Sequence, residues 1–172
     1  MLPFQKPALV VDDSAAAASI MRDLVRRIGF VEVAVRHTAA EGLLELQRRR
    51  HAFALIDVEM KPSSGLDLLE WIRRSEEIWS TPIVIATATP VSLLLLRRWL
   101  WRIAPTSFIL KPFSAGDLKR KLSQMLERPS VKQDLLPSEI ANRYNEWAPS
   151  GKRADLEATL ITRISRVQFE YD

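Results

Sequence analysis

Five side chains in this sequence stand where chemistry is done. Asp12 and Asp13 follow the apolar run ALVV, Asp57 ends FALID, Thr87 ends PIVIAT, and Lys111 follows SFIL. Three carboxylates, a hydroxyl and an ammonium make a poor general acid and base pair. They make a good seat for a hard divalent cation: Mg²⁺ takes oxygen ligands, keeps several waters, and is commonly held by a few carboxylates together with phosphate oxygens. Asp57 is the one acid that ends its own strand, and a carboxylate so placed can act as a nucleophile towards a phosphoryl group. Mg²⁺ and Lys111 would then neutralise the charge on the transferred group. Two adjacent carboxylates at the edge of a low-dielectric core repel each other, which itself calls for a positive partner.

The elements that must bring these residues together can be read from the pattern. ALVV (8–11) leads into a helix that Ser14 can open and Gly29 can close. VEVAV (31–35) leads into a helix opened by the capping-box pattern Thr38-x-x-Glu41. FALID (53–57) is followed by the loop MKPSSG and a helix with Leu66, Leu69 and Ile72 on one side. PIVIAT (82–87) precedes a very apolar helix, and SFIL (107–110) precedes a last helix opened by Ser114 and Asp117. Strands that read as continuous apolar runs belong to a parallel sheet covered on both faces, the doubly wound α/β plan. In such a sheet ligands bind beyond the carboxyl ends of the strands, and all five side chains stand at those ends.

In this order and on these strand ends, VVDDS (10–14), LIDVEM (55–60) with Gly65, IATA (85–88) and FILKPF (108–113) resemble the receiver domain of two-component response regulators, over about residues 6–128. The resemblance implies a CheY-like five-stranded sheet of order 2-1-3-4-5. It implies that Asp57 is the phosphoacceptor and that Asp12, Asp13 and Asp57 form the Mg²⁺ site. It also makes Lys111 the phosphate-contacting lysine, Thr87 and Phe108 the switch pair, and Lys111-Pro112 a cis peptide. The implied phosphodonor is a phosphohistidine on a sensor histidine kinase or a histidine phosphotransfer protein. A chain of this kind is a signalling phosphoacceptor rather than an enzyme, limited to self-phosphorylation from a donor and slow autodephosphorylation. Pro62 stands one place later than the family's usual position, while Gly65 keeps its place. Glu59, two residues past Asp57, can reach incoming water and so affect the life of the phosphoryl group.

Each of these residues also has an ordinary reading. An Asp pair after a strand caps helices, Asp57 could be a turn residue, Thr87 a β-former, and Lys111-Pro112 a loop. These readings are independent of one another, and their coincidence on one rim disfavours them jointly. His37 and His51 have no acids or cysteines at ligand spacing and read as ordinary surface or core residues. The run RRRH (48–51) closes a helix, where basic side chains suit the helix dipole.

The helix after the fourth strand, PVSLLLLRRWLWRIAP, places Leu95, Leu96, Trp99, Leu100 and Ile103 on one broad arc suited to core packing. Leu94 and Trp101 fall outside that arc, beside Arg97 and Arg98. As an ordinary reading the two extend the edge of the core; as a functional one, a Trp flanked by Arg is a composition enriched at binding hot spots, which makes them the candidate partner-binding residues.

Residues 1–128 hold 19 Lys and Arg against 14 Asp and Glu, and residues 129–172 hold 6 against 7. The chain therefore divides into a domain over 1–128 and a linker with a mainly helical interaction or dimerisation extension over 129–172. In the extension, Ile140, Tyr144 and Trp147 form one apolar stripe, and Leu156, Leu160, Ile164 and Val167 another. The stripes can fold back, pair with a second copy, or dock on a different protein. The extension lacks the basic excess that phosphate-backbone binding requires, so no DNA contact is expected. Two other classes stay open: a DNA-binding transcriptional regulator whose tail dimerises into a DNA-binding surface, and a phosphotransferase or phosphatase with an aspartyl nucleophile. The absence of cysteine removes disulfides and thiolate metal sites. With no leader pattern and no run approaching a bilayer span, a cytoplasmic protein without membrane contact is expected.

Overall fold

The computed structural model describes residues 4–88 and 106–127. Five strands, β1 (Ala8–Val11), β2 (Val33–Arg36), β3 (Phe53–Asp57), β4 (Ile83–Thr87) and β5 (Thr106–Leu110), form one parallel sheet of order β2-β1-β3-β4-β5. Among the described residues four helices accompany them: α1 (Ala15–Arg27), α2 (Ala39–Arg48), α3 (Gly65–Arg74) and α4 (Ala115–Glu127). This is the doubly wound sheet expected from the apolar runs. The segment carrying Leu94 and Trp101, and the extension from residue 128 onward, lie outside the described residues.

Strands β1, β3 and β4 are buried along their whole length, which is why they read as unbroken apolar runs. Their side chains alternate between two cores. Leu9, Val11, Ile56 and Ile85 pack with Leu68 and Ile72 of α3. Val10, Leu55, Val84 and Ala86 pack with Val25 of α1 and Leu118 of α4. Filling both faces leaves the strand ends as the free rim.

The helix starts follow local chemistry. Ser14 Oγ accepts the Ala17 N–H and opens α1; Gly29, at φ +114°, reverses the chain after it. Ser64 with Asp67, and Ser114 with Asp117, form reciprocal caps on α3 and α4. On α2 the reciprocity is displaced by one residue: Thr38 Oγ1 accepts the Glu41 N–H, but the Glu41 carboxylate accepts from His37 N–H at 3.0 Å. β2 begins at Val33 rather than at Val31. Its extent is set by its partner, since Ala8, the first residue of β1, pairs with Val33.

The basic run after α2 does more than face a helix dipole. Glu45 is buried on α2, and its carboxylate accepts from Arg36 at 2.5 Å and from Arg49 at 2.9 Å, while Arg49 also reaches Glu32. Burial works against the Glu45 charge, but the hydrogen bonds from Arg49 and Arg36 prevail and lower its pKa. His51 Nε2 lies 3.5 Å from the same carboxylate with no hydrogen-bond partner, and burial lowers the His51 pKa below its ordinary 6.5. Removing Glu45 takes its carboxylate from Arg36 and leaves Arg49 with Glu32 alone, so Glu45→Leu should cost about 2 kcal/mol in denaturant unfolding. The pH dependence has one sign for both groups. Below pH 6.5 the unfolded chain binds a proton at His51 that the folded chain resists, and at lower pH Glu45 loses its pairing, so stability falls with acid. A urea titration series from neutral to acidic pH should show that fall, and His51→Gln should reduce its upper portion.

Candidate functional site

Asp12 follows β1 directly, and every polar group it carries is held. Its N–H donates to Arg36 O at 3.1 Å, and its carbonyl lies 3.0 Å from His37 Nδ1. Its Oδ1 accepts the Ser14 N–H at 2.9 Å, and its Oδ2 accepts from Lys111 Nζ at 3.1 Å. Asp13 is exposed on the loop into α1, and its Oδ2 accepts the Lys61 N–H at 3.1 Å. Asp57 ends β3 opposite Ala86 of β4, and is 4% exposed. Carboxylate oxygens of Asp12, Asp13 and Asp57 all lie within 4.8 Å of one another.

Lys111 is delivered to this cluster by backbone pairing. Its N–H donates to Thr87 O at 2.8 Å, directly beyond the β4–β5 ladder, and its peptide with Pro112 is cis, as is Lys61-Pro62. Lys111 Nζ then stands 2.7 Å from Asp57 Oδ1. That ammonium is the partner of Asp57 Oδ1, an oxygen otherwise buried without a hydrogen bond.

The two ends of this pair shift the same way. Burial raises the Asp57 pKa and outweighs the opposing Lys111 charge, while neighbouring Asp12 raises it further. Burial works against the Lys111 ammonium, but Asp57 and Asp12 together overcome it and raise its pKa. Glu59, exposed at the rim, has its pKa raised by local desolvation and then by the Asp57 charge. The cluster is thus left with more negative charge than Lys111 can balance.

Asp12, Asp13, Asp57 and Lys111 are brought together as the strand ends predicted. Thr87 is fully buried at the end of β4. Phe108 pairs with Ile85 in the ladder, two residues before Thr87, so Thr87 and Phe108 project from the same face of adjacent strands. Leu94 and Trp101 lie outside the described residues. His37, read from the sequence as an ordinary residue, contacts the site through the Asp12 carbonyl. A backbone acceptor has no residue-type signature, and no sequence signal pointed to this contact.

Gly65 explains the spacing after Asp57. A Cβ at that position would lie 1.9 Å from the Asp57 carbonyl oxygen, so α3 can start against the end of β3 only with glycine there.

The family model for the response regulator receiver domain matches residues 8–123. The chemotaxis protein CheY-3 of Vibrio cholerae serotype O1 is 30% identical over 120 residues, covering 70% of this chain and 91% of that protein. Among solved structures, the receiver domain of the sensor histidine kinase PA1611 from Pseudomonas aeruginosa PAO1 superposes with a TM-score of 0.61 at 21% identity, covering 70% of this chain and 97% of that one. That structure holds a magnesium ion coordinated in its active site cleft. The bacteriophytochrome response regulator RtBRR gives a TM-score of 0.63 at 19% identity and covers 90% of this chain and 95% of its own.

Proposed function

Because the chain belongs to the response regulator receiver domain family, we propose that it is a two-component phosphorelay protein that accepts a phosphoryl group on Asp57 from a sensor histidine kinase or a histidine phosphotransfer protein. The observation that carries this reading is the buried Asp57 carboxylate set 2.7 Å from Lys111 Nζ and beside Asp12 and Asp13. In the transfer, an Asp57 oxygen forms the new P–O bond as the P–N bond to the donor imidazole breaks, and the released ring takes up a proton. Lys111 stands where it can meet the incoming phosphoryl oxygens.

The donor set fits Mg²⁺: oxygen ligands only, with three carboxylates gathered around one ammonium. Asp12, Asp13 and Asp57 would hold the ion, and its chemistry there is to neutralise phosphoryl charge. The PA1611 receiver domain, with its bound magnesium, supports this assignment. Incubation with acetyl phosphate should add one phosphoryl mass to the intact protein with Mg²⁺ and none after chelation. Labelling that is indifferent to chelation would remove the metal role of Asp12 and Asp13.

The proposed organisation is a receiver over 1–128 and an association segment over 129–172 that binds protein rather than DNA. The near-neutral charge of that segment and its two apolar stripes support this reading, with a homodimer as first choice. A cytoplasmic location is proposed from the receiver-domain family; among the described residues no helix is long and apolar enough to cross a membrane. Sizing the full chain against residues 1–128 should show a larger species for the full chain only. Two monomers at high concentration would exclude the dimer.

Output is proposed to run through Thr87 and Phe108 to Leu94 and Trp101. Phosphorylation adds up to about two negative charges with strong acceptor oxygens at the rim. The Thr87 hydroxyl can donate to one of them, and its movement vacates space on the face it shares with Phe108. Such coupling is typically worth about 1–3 kcal/mol. Thr87→Ala should keep Asp57 phosphorylation and lose most of its effect on association, and Trp101→Ala should weaken association in both states. Equal responses of Thr87→Ala and wild type to beryllofluoride would exclude this route.

A further inference from the structure

We propose that His37 is a positioning residue for the cation site, its ring N–H holding the peptide that joins Asp12 to Asp13. The inference rests on the reading that these two aspartates hold a divalent cation. A carbonyl oxygen only accepts, so the 3.0 Å contact between His37 Nδ1 and Asp12 O requires the proton on Nδ1. That carbonyl belongs to the peptide between the two acids. Its orientation sets where the chain carries the Asp13 carboxylate after Asp12 has left β1.

The other restraints on Asp12 act on its N–H and its carboxylate. His37 supplies the restraint on its carbonyl. His37 is itself anchored, because its backbone N–H donates to the Glu41 carboxylate at 3.0 Å and Thr38 beside it caps α2. A link therefore runs from the first turn of α2 through the imidazole to the loop that bears both ligands. It spans two neighbouring strands at the free rim, and the residue carrying it is exposed, so its replacement leaves both cores intact. Groups that orient metal ligands from outside typically contribute about 10–100-fold to metal affinity.

The test is Mg²⁺ titration of the full chain by calorimetry for wild type, His37→Ala, His37→Asn and Asp12→Asn. In Asn the side-chain amide nitrogen hangs from Cγ as Nδ1 does in His and can donate to the same carbonyl. His37→Ala should bind Mg²⁺ about tenfold more weakly, and His37→Asn should recover most of that loss. If Asp12→Asn loses Mg²⁺ while His37→Ala keeps it, the cation site stands and the positioning role is overturned. Equal weakening in His37→Ala and His37→Asn overturns it too. If Asp12→Asn binds as wild type does, the cation reading fails and the inference falls with it. Imidazole nitrogen NMR of the neutral ring gives an independent reading: the Nδ1–H tautomer is expected at His37, and the Nε2–H tautomer would contradict the contact.

Discussion

Gly65→Ala should destabilise the fold by about 3 kcal/mol, at the upper end of ordinary overpacking, and slow phosphorylation of Asp57 roughly 100-fold. The added methyl would meet the Asp57 carbonyl oxygen at 1.9 Å, the Asp57 carbonyl carbon at 2.9 Å and Ile56 Cγ2 at 2.9 Å. Two of those three atoms are backbone, so no rotamer change relieves the clash. Either α3 moves away from β3, which breaks the 3.1 Å hydrogen bond from Gly65 N–H to Val58 O and loosens Leu68 and Ile72 in the core, or the end of β3 moves. In the second case Asp57 leaves Lys111. A displacement of about 1 Å at a reacting group can cost two orders of magnitude in rate. Urea unfolding and the time course of acetyl phosphate labelling read the two effects separately. Wild-type values in both would show that α3 tolerates a side chain at this start.

Asp57→Asn should abolish labelling and at the same time raise the melting temperature of the protein without Mg²⁺. Burial raises the Asp57 pKa above its ordinary 3.8, with Lys111 opposing. A carboxyl that is harder to ionise folded than unfolded weighs against folding at every pH above its unfolded value, so its charge is a liability at neutrality. Asparagine keeps the shape and removes that charge, while Lys111 keeps its 3.1 Å contact with Asp12. The Mg²⁺ response should show the converse. A ligand at about 100 times its Kd stabilises the fold by about 2.7 kcal/mol; wild type should gain this and Asp57→Asn should gain much less. A variant that melts lower than wild type without Mg²⁺ would show that Asp57 contributes more through Lys111 than it loses by burial.

What could be read from the sequence, and what could not, divides along physical lines. β1, β3 and β4 were legible because burial on both faces makes their runs continuously apolar, and a doubly wound sheet puts its ligands at the strand ends. The convergence of Asp12, Asp13, Asp57 and Lys111 on one rim was therefore legible from position as well as type. The start of β2 was less legible, since pairing with Ala8 of β1 defines it and Val31 itself is 87% exposed. Arg49 reads as a cation near a helix end, but its hydrogen bond to the buried Glu45 and its ion pair with Glu32 depend on where β2 runs beside α2. His37 meets Asp12 across 25 residues of sequence through a main-chain carbonyl. Contacts of side chains with distant backbone atoms leave no mark on spacing or composition.

Reduction of the labelled protein with borohydride, followed by peptide mapping, identifies the phosphoacceptor itself. An aspartyl phosphate is an acyl phosphate and is reduced to homoserine at the modified position, which reads out the acceptor residue. Homoserine is expected at position 57 alone, formed only when labelling was carried out with Mg²⁺. Homoserine at position 12 or 13, or labelled protein without homoserine, would contradict it.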